Sequence, residues 1–174
     1  MKEKRSYLFI GVLFLLYSIY CTSCNSGREE TNKPNKRGSI DILHIQYREE
    51  LRINNIPLYV EIADTPEKRE IGLMWRKRLE KDCGMIFVYP SEQELTFYMK
   101  NCHINLSIAF VNKEYEIVYI QEMKAQYGVP DYKLIHYQSK RSAKYAIEMA
   151  ENWFTEHNIH VGDKVEMGKL TNDL

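Results

Sequence analysis

The stretch Leu51-Arg52-Ile53-Asn54-Asn55-Ile56-Pro57-Leu58-Tyr59-Val60-Glu61-Ile62-Ala63 decides the fold class. On both sides of Asn54-Asn55 the apolar residues recur at every second position, the period of a strand with one face buried. Asparagine tolerates positive φ, so the pair reads as the tight turn of a β-hairpin. Pro57 has no N–H for a ladder and belongs at a strand start or on an edge.

The chain beyond this hairpin extends the same reading. Asp64-Thr65-Pro66-Glu67 is a helix start: Thr65 caps free amides, Pro66 suits the first helical position, and Glu67 suits the positive end of the dipole. The helix is expected to run to about Met74, unless Gly72 marks its end. Gly84 to Tyr89 reads as a buried strand stopped by Pro90, followed by strands over 95–99 and 104–111. Asn112-Lys113-Glu114 turns the chain into a strand over 115–123. Residues 126–141 lack a clear period and read as a long surface excursion. Residues 143–149 are strand or helix, 151–157 helical, and 161–167 a closing strand. The sum is a single small α+β domain over residues 40–174, with a mostly antiparallel sheet, open or curled toward a barrel, and one or two short helices.

The residues before this domain carry a different signal. Lys2, Lys4 and Arg5 precede an almost wholly apolar run from Tyr7 to Tyr20. At the helical rise this run spans roughly 21 Å, short of the ~30 Å hydrocarbon core, as expected of a signal peptide rather than a spanning helix. Cys21-Thr22-Ser23-Cys24 follows and resembles the lipobox of bacterial lipoproteins. Cys24 is the better acceptor because two small residues precede it, although Cys21 stands where such motifs usually carry an aliphatic residue. Residues 1–24 are thus expected to be a lipoprotein signal. Residues 25–39, polar, charged, glycine or proline throughout, form a tether with a reach of roughly 20 Å. The expected location is the bacterial cell envelope, with the domain outside the cytoplasm and held to the membrane through the lipid.

Charge excludes one class of partner. Lysine plus arginine and aspartate plus glutamate number 24 each, and loss of residues 1–24 leaves 21 basic against 23 acidic residues. No field of one sign draws the domain toward nucleic acid.

Five blocks, Val60 to Pro66, Gly72 to Arg76, Gly84 to Phe87, Phe97 to Asn101 and Val161 to Asp163, occur in this order. Together they resemble the domain of unknown function 192 family of bacteria and archaea. The resemblance implies a compact, β-rich, often exported domain, with no activity to carry over. Tyr98, Cys102, Asn105 and Ser107 depart from the tryptophan, threonine, proline and aspartate usual in the family, and Asn112 from a common aspartate. An activity needing an acid at position 107 is therefore not expected here.

Candidate chemistry is sparse. Cys102 and His103 are strand neighbours pointing to opposite faces, a poor geometry for a dyad. Cys83 and Cys102 are the cysteines left after processing, and an oxidising envelope would permit a disulfide between them, though no spacing shows them close. His157 and His160 lack a third ligand, so no metal is expected, and no cofactor motif is present. Asp64 and Glu67 are explained by the helix start. Arg76, Lys100 and Asn101 are polar residues set within the motif blocks, the candidates for a pocket that holds an anionic or hydroxyl-rich ligand, against structural roles for the same three. No catalytic set is identified. The expectation is a non-enzymatic accessory or binding module for a small ligand, envelope polymer or envelope protein. The alternative is an extracytoplasmic hydrolase or other enzyme using Arg76, Lys100 and a carboxylate such as Asp64.

Overall fold

A computed structural model describes residues 49–168. The signal, Cys24, the tether and both ends of the 40–174 domain span lie outside the described residues. Seven strands form one curled, mixed sheet in the order β5-β4-β6-β3-β2-β1-β7. They are β1 (Glu49–Ile53), β2 (Ile56–Ala63), β3 (Cys83–Tyr98), β4 (Leu106–Val111), β5 (Ile117–Met123), β6 (His136–Ala150) and β7 (Val165–Glu166). Among the described residues two short α-helices, α1 (Pro66–Ile71) and α2 (Trp153–Glu156), and one 3-10 turn (Asp131–Lys133) accompany them. None of the helices among the described residues is long and apolar enough to cross a membrane.

The hairpin that set the fold class is present, with β1 antiparallel to β2 and positive φ at Asn54 and Asn55. Thr65 caps α1 by accepting from the Lys68 amide at 3.3 Å, with Pro66 in the first turn. The helix stops at Ile71, short of Met74, because Gly72 turns the chain at φ 49° and its amide closes on the Lys68 carbonyl. After α1 the chain returns to lay β3 parallel to β2, so the sheet is not purely antiparallel.

Pro90 does not end a strand. β3 runs through it, since between the Val88–Tyr145 and Gln93–Ala143 pairs β3 advances five residues while β6 advances two. Pro90 lies inside this bulge, where no ladder hydrogen bond is asked of it. A second slip follows on β6, where Ser139 is buried and its hydroxyl accepts from the Leu95 amide at 3.1 Å. The excursion expected over 126–141 is shorter than its composition implied, because β6 already begins at His136. The closing strand shrinks to Val165–Glu166, and the helix expected before it, over 151–157, to four residues.

Both faces of the sheet are buried. One face packs Leu51, Ile53, Leu58, Val60, Ile86 and Ile147 with Trp153 and Phe154 of α2. The other packs Met85, Phe87, Phe97, Ile108 and Phe110 under Leu73 and Cys102 from the connecting loops. The strands at the two ends of the sheet order meet. The Ile117 amide donates to the Asp163 carbonyl at 2.9 Å, the Val165 amide to the Tyr115 carbonyl at 2.8 Å, and Glu116 bridges to Lys164. The result is a half-barrel stitched along its seam.

Candidate functional site

Two clefts flank the turn at Gly72. A β-carbon there would meet the Phe87 ring at 3.2 Å, so the turn lies directly on that ring. The smaller cleft, about 260 Å³, opens between α1 and the second half of β3, with Phe87, Phe97, Leu73, Tyr89 and Cys102 in its lining. The larger, about 530 Å³, lies on the other side, over Ile62, Ile71 and Met85, with Glu61 and Arg76 at its wall.

Glu148 lies in the lining of the smaller cleft. It stands on β6 between Ile147 and Met149, which face the first core, and so points with Ala146 to the second. In the sheet its two register neighbours are Met85 and Ile108, neither of which can donate a hydrogen bond. It is 4% exposed. Among the described residues no side chain or amide donates to its carboxyl group. Burial alone pushes its pKa up to about 8, so the acid is held mainly uncharged at neutral pH. Tyr89 and Cys102 line the same cleft and both feel its charge. The Cys102 thiol is pushed up to about 12, first by burial and then by Glu148, which leaves it far from a nucleophilic thiolate. Tyr89 is raised by burial, against the pull of Arg69.

Glu148 is not among the residues that the sequence singles out. The available signal was an acid inside Tyr145-Ala146-Ile147-Glu148-Met149-Ala150, a run apolar enough to be buried on both faces, where a carboxyl group needs a reason.

The residues that the sequence singles out are each held by a different partner. The Arg76 guanidinium grips Glu61 with two bonds of 2.8 and 2.6 Å. Lys100 donates to Asp131 at 2.8 Å, a bond that raises its pKa. Asp64 accepts from Lys68 at 2.7 Å, which holds its carboxyl below the usual range. Asn101 is tied to the turn after α1: its carbonyl accepts from the Trp75 amide at 2.8 Å, both residues having positive φ. Arg76 faces the larger cleft, whereas Lys100, Asn101 and Asp64 line neither.

Cys83 and Cys102 are both buried, and no disulfide joins the two. Cys83 opens β3 opposite Tyr59 and directs its sulfur to Glu80, while Cys102 turns back after β3 toward the Lys100 carbonyl. His103 stacks on Tyr127 with ring centroids 3.8 Å apart, away from any dyad with Cys102. Ser107, at the family's acidic position, is buried and donates to the Glu122 carboxylate, 2.6 and 2.7 Å from its two oxygens. Among the described residues no three histidine, cysteine or acidic side chains are grouped to hold a metal.

The comparisons agree with this architecture. The family model for DUF192, described as an uncharacterized ACR, matches residues 49–167. A UPF0127 protein of Pyrococcus furiosus is 27% identical over 132 residues, covering 74% of this chain and 99% of its own. A protein of Sinorhizobium meliloti 1021, provisionally described as a transcription regulator, superposes with a TM-score of 0.61 at 25% identity, over 68% of this chain and 92% of its own. A protein of unknown function from Novosphingobium aromaticivorans superposes with a TM-score of 0.60 at 25% identity, over 68% of this chain and 84% of its own.

Proposed function

The chain belongs to the DUF192 family, and from that premise we propose that it is a binding module held outside the cytoplasm on a bacterial membrane by a lipid on Cys24, taking a small ligand into the Glu148 cleft. One observation carries the ligand site: a carboxyl group excluded from water, without a donor among the described residues, lining an open cleft with aromatic walls. Leaving such a group unsatisfied costs roughly 1–3 kcal/mol, and a ligand that satisfies it recovers that free energy on binding. Display on the envelope is supported by the positive start, the short apolar run and the two small residues before Cys24. A binding role is favoured over catalysis because Arg76, Lys100 and Asp64 are each committed to a different partner.

Two experiments test the two halves. Cys24→Ala should abolish incorporation of a labelled fatty acid, and undiminished labelling would remove the anchor. Ligand-observed NMR on the full chain in detergent, screened against small aromatic amines, alcohols and acids, should give hits that Thr96→Trp blocks by plugging the cleft from its exposed rim. Hits that persist in that variant place binding elsewhere.

A further inference from the structure

Resting on that reading of the cleft, we propose that its occupant is a small organic cation, an amine whose ammonium group seats against Glu148 while its carbon skeleton lies along the aromatic walls. The argument begins with what Glu148 lacks. Its register neighbours are a methionine and an isoleucine, and Arg69, the basic residue of the lining, is committed elsewhere. The Arg69 guanidinium donates to the Asp64 carbonyl at 2.7 Å and the Val88 carbonyl at 2.8 Å, and lies 4.9 Å from the centre of the Tyr89 ring. The carboxyl therefore has room for both a counter-charge and several donors, which an ammonium group supplies together.

The walls favour the same charge. Phe87, Phe97, Tyr89 and Tyr98 line the cleft, and aromatic faces attract a desolvated cation. Glu70 adds a second acid to the lining, so an anionic ligand would enter between two carboxyl groups. A neutral alcohol would satisfy a hydrogen bond but leave the charge capacity of the site unused.

The protonation change balances. In the empty cleft at neutral pH Glu148 holds its proton. When the ammonium group arrives, that proton leaves to solvent and a carboxylate–ammonium pair remains, with the amine's own protons retained. The titratable groups near this exchange are Cys102 and Tyr89, which feel Glu148 directly, with Arg69, Glu70 and Tyr98 along the same lining. Burial holds Cys102 and Tyr89 protonated across the neutral range, so the released proton is assigned to Glu148.

The probes are benzylamine, benzyl alcohol and benzoate, titrated into the full chain in detergent at pH 7 by calorimetry in two buffers of different ionisation enthalpy. Benzylamine should bind at least about tenfold tighter than the other two, with close to one proton released per amine. Glu148→Gln, similar in size and already neutral, should erase both the preference and the release, so that benzylamine binds no tighter than benzyl alcohol. Equal or tighter binding of benzoate or benzyl alcohol overturns the assignment of a cation but leaves the cleft a ligand site, as does a preference that survives Glu148→Gln. Failure of all three to bind up to about 10 mM, or binding indifferent to Thr96→Trp, overturns the cleft itself.

Discussion

Gly84 passes so close to Glu148 that a β-carbon on it would lie 2.0 Å from the Glu148 backbone carbonyl oxygen and 2.5 Å from the Met149 sulfur. The first obstacle is main chain of a paired strand and cannot swing aside. Gly84→Ala should therefore force β3 away from β6 and destabilise the domain by about 3 kcal/mol, read as a lowered urea midpoint. An unchanged midpoint would mean that the two strands are not held at this spacing.

The carboxyl group of the same residue makes stability depend on pH. At low pH Glu148 is protonated in both folded and unfolded chains. As pH rises past its ordinary value of 4.5 the unfolded chain ionises it, while the folded chain keeps the proton until about 8. Over that window the unfolded state is the one gaining stability, so the contribution of Glu148 falls and then levels off above about 8. Thermal unfolding at pH 5, 6.5 and 8.5 should show Glu148→Gln losing less stability than the parent across the series. At the upper end the variant should be more stable by an amount on the order of a few kcal/mol. Parallel curves would contradict a buried, neutral acid.

Arg76→Lys tests the two-pronged grip on Glu61. Both side chains are half-buried, and a lysine offers one point charge where the fork made two bonds. The substitution should cost about 1 kcal/mol, and a double-mutant cycle with Glu61→Gln should return a coupling of similar size. A coupling of zero would reduce the pair to a surface accident.

Cys102 is expected to resist alkylation by iodoacetamide at pH 8 in the folded protein and to react fully after unfolding without reductant. Peptide mapping by mass spectrometry separates it from the other three cysteines. Labelling that requires a reductant would instead mean a disulfide.

What was legible in the sequence follows the range of the forces involved. The hairpin at Asn54-Asn55 and the cap at Thr65 are local, decided by backbone conformations and bonds within four residues, and both stand as read. Pro90 misled because its usual meaning supposes a regular ladder, whereas the slip around it depends on β6, more than fifty residues away. The cleft around Glu148 was hidden for a similar reason. Arg76, Lys100 and Asn101 drew attention as polar residues among apolar ones, yet Glu61 and Asp131 already answer the first two and the Trp75 turn the third. Glu148 drew none, because only the tertiary structure places Met85 and Ile108 beside it and denies it a partner.

The seam that joins the sheet's two ends also orders events in time. β7 closes on β1, and the segment from Gly162 to Val165 closes on β5, so residues near the end of the chain complete a sheet begun at Glu49. Pairings this distant in sequence form slowly, and a chain emerging amino terminus first cannot make them until its last strand has been delivered. Until then the sheet stays open along that seam. The seam is thus the last part of the described sheet that a chain made amino terminus first can complete.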